Sequence, residues 1–146
     1  NDLYDVIVIG LGRYGFHLTN NLQKEGFRVL AVDFDPEAIK TAQEQGIPAI
    51  YGDAADPEGP AHLPLAGVKM VVLAFHHYRT GPLMTDLRRT MANAFRAHGY
   101  EGSIACTSHS TTYDHDLHDH GINLILRPFE DAASDACTHI TRHIKN

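Results

Sequence analysis

Apolar residues recur along this chain in two alternating rhythms: short solid runs, and longer stretches with apolar positions three or four apart. The solid runs are "DVIVIG" (5–10), "FRVLAVD" (27–33), "PAIYG" (48–52), "VKMVVLAF" (68–75), "SIACTS" (103–108) and "INLILR" (122–127). Short, β-branched runs of this kind predict strands buried on both faces of a sheet. Between them the period changes. Tyr14, Leu18 and Leu22 stand four apart and predict one face of a helix that Gly26 ends. Asp35 reads as an N-cap and Pro36 as the first helical residue, with Ala38, Ile39 and Ala42 on the buried face and Gly46 as the stop. Residues 53–67 carry Pro57, Gly59, Pro60 and Pro64, which permit only a broken or single-turn helix. Leu83, Leu87, Met91 and Phe95 predict a long helix from about residue 82 to 98, ended by Gly99. Tyr113 and Leu117 mark a short helix closed by Gly121, and Ala133, Ala136, Ile140 and Ile144 line a last amphipathic helix.

Strands that alternate with crossover helices imply an α/β fold with a parallel sheet covered on both faces. Right-handed crossovers then give a doubly wound, six-stranded, Rossmann-type sheet of order 3-2-1-4-5-6. The 146 residues suit one domain over 1–146, without repeat, linker or low-complexity tract.

Composition removes several classes of function. A net charge of −6 gives no electrostatic case for binding nucleic acid. No apolar run approaches the roughly 20 residues of a membrane span, and no signal peptide is expected. Cys106 and Cys137 are isolated, so a reducing cytoplasm fits better than a disulfide scaffold, and both thiols read as small core residues. The chain starts at Asn1 without an initiator Met, which reads as an excised or processed piece of something larger. Eleven histidines are many; a drifted surface composition is the plain reading, metal binding or pH sensing the sharper one.

The chemistry concentrates in "GLGRYG", where Gly10, Gly12 and Gly15 form G-x-G-x-x-G directly after a buried strand and at the start of a helix. The first glycine permits the tight turn, the second lets backbone approach a pyrophosphate, and the third lets helix and strand pack closely. The helix start then offers free N–H groups and a positive dipole end to phosphate. Asp33 follows Gly15 by 18 residues, at the end of the second strand. A carboxylate there accepts hydrogen bonds from a ribose diol and repels a 2′-phosphate, which favours NAD or another adenosine nucleotide over NADP. The alternative makes the glycines turn punctuation and Asp33 a helix cap, but Asp35 is the better cap. Asp35 also joins the candidate cofactor-binding set by position.

"VIVIGLGRYGFHL", "VLAVDFDPEAI" and "YGDAADPE" resemble, in order and spacing, the N-terminal nucleotide-binding subdomain of the regulator-of-potassium-conductance family, also called TrkA-N or KTN. The flavour is that of the cytosolic domain of Kef-type potassium/proton antiporters, and the resemblance runs to "RPFEDAA" at 127–133. It implies that Arg13 reaches phosphate and that Gly52, Asp53 and Ala54 lie beside the adenosine end. It implies NAD(H) or AMP as a regulatory ligand, homodimers with a terminal helix crossing to the partner, and attachment to a membrane antiporter or channel domain at the cytoplasmic face of the inner membrane. One segment departs from the pattern. "AFHHYRTGP" puts His76, His77, Tyr78 and Arg79 where small or acidic residues are usual, so these groups either fill the space, leaving an AMP-sized site, or stack on the second half of a dinucleotide.

An enzyme is the competing class. A dehydrogenase needs a substrate site and a proton relay near the nicotinamide. The chain has no Tyr-x-x-x-Lys pair and no second domain, and only His76 or His77 would stand near such a site. The expectation is therefore no catalytic residue; the alternative is the cofactor domain of an NAD-dependent oxidoreductase lacking its substrate half. In "YDHDLHDH" (113–120), His115, His118 and Asp119 would share a helix face and present three metal ligands. The same spacing gives Asp114–His118 and His115–Asp119 pairs on a solvated face, and no metal is assigned. The last helix either packs on its own sheet or forms a dimer face.

Overall fold

The computed structural model describes residues 3–75, 79–80, 85–109 and 114–146. Six parallel strands form one sheet: β1 (Val6–Ile9), β2 (Val29–Asp33), β3 (Ala49–Tyr51), β4 (Met70–Leu73), β7 (Ser103–Thr107) and β8 (Leu124–Leu126). Two further short strands, β5 (Arg79–Thr80) and β6 (Thr85–Asp86), pair antiparallel with each other. The sheet order is β3-β2-β1-β4-β7-β8. That is 3-2-1-4-5-6 for the six sheet strands, the expected doubly wound order. β1 lies at its centre, with Ile7 paired between Leu30 and Val71, and all four of its residues are buried. An apolar strand with a neighbour on each edge and a layer on each face has no solvent-facing side, so it lacks polar alternation.

The helices are α1 (Arg13–Lys24), α2 (Pro36–Glu44), α3 (Leu87–Ala97) and α4 (Pro128–Lys145). Tyr14, Leu18 and Leu22 pack α1 over Val6, Val8, Val29, Val72, Ala74 and Ala105. Ala38, Ile39 and the buried Ala42 bring α2 onto Ala31 and Ala49. Met91 and Phe95 carry α3 onto the opposite face, over Ile7, Leu30, Val71 and Ile104. Asp35 caps α2 by accepting the Glu37 N–H at 3.0 Å, with Pro36 in the first turn, as the sequence predicts. Residues 53–67 contain only a 3-10 turn at Gly59–His62.

Three expectations need correction. The helix over 82–98 begins at Leu87, because Asp86 is extended and caps it by accepting the Arg88 N–H at 2.9 Å. An N-cap adopts non-helical backbone, and it ends the apolar periodicity that ran back through Leu83, which lies outside the described residues. The described part of the "YDHDLHDH" segment, residues 114–120, holds a 3-10 turn, His118–His120, closed by Gly121 at φ +82°, and no α-helix. The helical face proposed for His115, His118 and Asp119 is therefore not formed, and among the described residues no group of three or more candidate ligands gathers. Tyr113 lies outside the described residues. Cys106 is buried as expected, whereas Cys137 is exposed on α4. Of the two readings left open for the last helix, packing on its own sheet is not what α4 does: none of its residues is buried, and Phe129, Ile140 and Ile144 are 71%, 59% and 75% exposed.

Burial pushes the Cys106 thiol up to about 11. A protonated, inaccessible thiol does not react. One equivalent of thiol reagent at pH 8 is thus expected to label Cys137 within minutes, and Cys106 only after denaturation; peptide mapping checks this.

Candidate functional site

The carboxyl ends of β1, β2 and β3 open into a crevice of about 550 Å3, lined by Gly10, Gly12, Asp33, Phe34, Asp35, Ala38, Asp53, Ala54, Phe75 and Leu87 among others. A second cavity of about 480 Å3 adjoins it and shares Ile9, Val32, Gly52, Asp53 and Ala54; it runs beneath the 3-10 turn toward Ile50, Leu63 and Met91. Openings at the carboxyl ends of parallel strands are where ligands bind in doubly wound sheets.

Two glycines keep the mouth of β1 tight. Gly10 sits at φ +111°, and a Cβ there would lie 2.9 Å from the Ala74 carbonyl carbon and the Phe75 nitrogen. A Cβ on Gly15 would fall inside the carbonyl oxygen of Gly10. The chain thus turns back on itself with no room for a side chain, and α1 starts against the strand. Gly12 is the N-cap of α1, and no side chain caps this end. Because Gly12 lines the crevice, the start of α1, with its unpaired first N–H groups and the positive end of its dipole, stands at the crevice mouth.

Asp33 stitches the site together. Its Oδ2 accepts the Leu11 N–H at 2.6 Å, and its Oδ1 accepts the Asp35 N–H at 2.8 Å. An ionised carboxylate has about four acceptor positions, so two remain. Gly52 lies beside β2, where a Cβ would stand 2.5 Å from Val32 Cγ1. Asp53 holds its own turn by accepting the Ala55 N–H at 2.9 Å.

The crevice walls bring together Gly10, Gly12, Asp33, Asp35, Asp53 and Ala54. Gly15 lies beneath, as a packing position. Arg13 is exposed and borders a neighbouring shallow depression with Phe16, His17 and Glu37, outside the crevice lining. His76, His77 and Tyr78 lie outside the described residues. Among the described residues, the charged groups in the lining are Asp33, Asp35 and Asp53. The start of α1 contributes positive potential for a phosphate, and Arg13 is a cation in the adjoining depression. A cradle cleared by glycine, an uncapped helix start and a carboxylate with spare acceptor positions fit the chemistry of a nucleotide.

Sequence reasoning missed a buried ionic cluster next to the crevice. Arg88 is 0% exposed. Its guanidinium donates to both oxygens of Asp86 (3.1 and 2.8 Å), to Asp114 Oδ1 (3.2 Å) and to the Thr107 carbonyl (3.1 Å). Asp114 Oδ2 accepts from Ser108 Oγ and, at 3.4 Å, from Arg127. Arg89 pairs with Asp86 and Asp116. That hydrogen bond holds the Asp116 carboxyl down at about 2. The stability from this pair is full above the ordinary carboxylate range and is lost as pH falls toward 2. The available signal was Asp86 placed two before Arg88, an N-cap pattern; nothing in the sequence ties either residue to 114.

The doubly wound geometry agrees with comparisons against known proteins. The chain is 30% identical over 83 residues to the putative K(+) efflux antiporter KefB of Alkalimonas amylolytica, covering 57% of the chain and 12% of that protein. It is 39% identical over 67 residues to the Ktr system potassium uptake protein A of Vibrio alginolyticus, covering 46% and 30% respectively. It therefore spans a minor part of either relative. Among solved structures, the NAD(P)-binding domain of an exopolyphosphatase-related protein from Archaeoglobus fulgidus superposes with a TM-score of 0.77 at 25% identity, covering 96% of this chain and 99% of that one. The TrkA-N domain of the inner membrane protein YbaL from Escherichia coli gives 0.75 at 18%, covering 94% and 98%. The fold is shared with the GsuK channel bound to NAD (0.70, 14%, 86% and 22%) and with the Citrobacter triphenylmethane reductase complexed with NADP(H) (0.62, 21%, 84% and 48%). Fold alone thus does not separate a sensor from a reductase. The TrkA-N domain profile matches residues 6–128, from β1 through β8 to the first residue of α4, and the chain belongs to that family.

Proposed function

We propose that this chain is a ligand-sensing module that binds an adenine nucleotide, NAD(H) or AMP, and regulates potassium or other monovalent cation transport by an attached membrane antiporter or channel domain. The observation that carries this reading is the uncapped start of α1, opening on a crevice that Gly10 and Gly15 keep clear and Asp33 flanks. Membership of the TrkA-N family and the KefB and Ktr relatives support the transport context. Among the described residues no helix is long and apolar enough to cross a membrane; the transport unit is then a separate segment or chain, and this module works at its cytoplasmic face. When bound, the nucleotide supplies binding energy only; no catalytic residue is assigned. It shifts an equilibrium between arrangements only to the extent that it binds one of them better, with a coupling of about 1–3 kcal/mol as the usual scale.

Titration of NAD+, NADH, NADPH and AMP by calorimetry, with a carbonyl-reduction assay alongside, tests the reading. The expected result is comparable binding of AMP and NADH, weak NADPH and no turnover. Preferred NADPH binding with carbonyl turnover would favour the oxidoreductase alternative. Asp33→Ala is expected to weaken AMP by about 1–3 kcal/mol, the scale of a charged hydrogen bond, with part of the loss from freeing the Leu11 N–H; an unchanged affinity would remove Asp33 from the site.

The module works as a homodimer through α4. In proteins most helical stability comes from packing an amphipathic face, and α4 has 18 residues with no buried position. Its exposed Phe129, Ile140 and Ile144 form one stripe with Ala133 and Ala136. Glu130 and Asp131 stand in its first turn, Arg142, His143 and Lys145 in its last, so a second copy laid antiparallel matches opposite charges end to end. Light scattering should give a dimer for the wild type and a monomer for Ile140→Asp; a monomeric wild type would contradict this assembly.

A further inference from the structure

The ionic cluster runs between two places that the proposed function needs to connect. At one end, Leu87 lines the crevice and sits between Asp86 and Arg88 in the chain. At the other end, Arg127 is the N-cap residue of α4. Between them the links are continuous: Asp86 to Arg88, Arg88 to Asp114, Asp114 to Arg127. The first two links are buried, with Arg88 0%, Asp86 5% and Asp114 7% exposed at the side chain. The third is different. Arg127 is 30% exposed and its contact, at 3.4 Å, is the longest of the three. Ion pairs in low dielectric hold their geometry because separating them strands a charge, whereas a partly solvated contact exchanges for water at small cost. The cluster is therefore rigid near the crevice and yielding at the base of α4. A second contact steadies that base: the Phe129 ring lies 5.1 Å from the ring of His109, two residues past Thr107, whose carbonyl accepts from Arg88.

We propose that the chain Asp86–Arg88–Asp114–Arg127 couples the occupancy of the crevice to the set of α4, with Arg127–Asp114 as the link that makes and breaks. This rests on the nucleotide reading above. A ligand against Leu87 displaces the first turn of α3; Arg88 carries that displacement to Asp114 as one body; and Arg127 then keeps or loses its carboxylate. Because α4 starts at the next residue, a change at Arg127 re-aims a helix of 18 residues.

Amide exchange by mass spectrometry on the whole chain, with and without saturating AMP, reads both ends in one experiment. Segment 10–16 reports binding and segment 128–145 reports α4. In the wild type AMP is expected to slow exchange at 10–16 and to change exchange in α4 at least about threefold, a small coupling by the usual scale. In Arg127→Gln, which lies outside the crevice, protection at 10–16 should persist while the α4 change disappears. Arg127→Lys, which keeps the charge, should restore part of it. An α4 change as large in Arg127→Gln as in the wild type would overturn the proposal. So would protection at 10–16 with no α4 change in the wild type, and in that case the nucleotide reading would stand. No protection at 10–16 with any of AMP, NAD+ or NADH would overturn both.

Discussion

Replacing Arg88 with methionine is expected to lower the free energy of unfolding by about 3–5 kcal/mol, the cost of taking the fully buried cation from two buried carboxylates that keep the part-exposed Arg89 (at Asp86) and Arg127 (at Asp114). Arg88 is wholly buried and holds Asp86 and Asp114, themselves 5% and 7% exposed at the side chain. Methionine fills much of the volume, so the loss is electrostatic more than steric. The distinguishing result is the double variant. Arg88→Met with Asp114→Asn removes one of the stranded charges together with its partner, and should cost clearly less than the two single changes added together, since neighbours in one network are not additive. Urea unfolding curves measure this. A single-variant loss under about 1 kcal/mol, the surface-pair range, would mean that water reaches the cluster.

The second large effect is expected at Gly15. A Cβ there overlaps the Gly10 carbonyl oxygen, which is backbone and cannot swing away. Gly15→Ala must push α1 off β1, and overpacking of this kind costs about 1–3 kcal/mol. The shift also moves the helix start away from the crevice, so AMP affinity should fall at least about tenfold, or about 1.4 kcal/mol. Gly26 supplies the control. It lies at the far end of the same helix at φ +97°, with nothing within 4 Å of a Cβ. Gly26→Ala should therefore cost only the left-handed backbone penalty of about 1–2 kcal/mol and leave AMP binding unaltered. Equal losses of affinity in the two variants would place the effect in general stability and not in the cradle.

Much of this arrangement was written in local pattern. Solid β-branched runs mark β1, β2 and β4 because each is covered on both faces, and that signal needs no knowledge of partners. The Asp35–Pro36 start of α2 and the Gly10-Gly12-Gly15 turn are likewise local, since an N-cap bond and a tight bend are made among neighbours. The misreadings share a cause. Leu83, Leu87, Met91 and Phe95 kept helical period through Asp86, and only the competition between its capping bond and continued helix sets the boundary. Cys137 falls beside an apolar stripe that sequence cannot tell from a core face, although no residue of α4 is buried. The cluster around Arg88 was invisible for a stricter reason. Its members are 26 and 39 residues apart along the chain at Asp114 and Arg127, and composition treats each as a surface charge. Only folding reveals that three strand ends and a helix start converge there.

One measurement bears on the central claim before any other: a crystal of this chain grown with AMP. Phosphate is expected against the backbone N–H groups of residues 12–15 at the start of α1, the ribose diol on Asp33 and the purine beside Ala54. Full-occupancy AMP bound elsewhere, with protein side chains filling the crevice between Gly10 and Ala54, would contradict it.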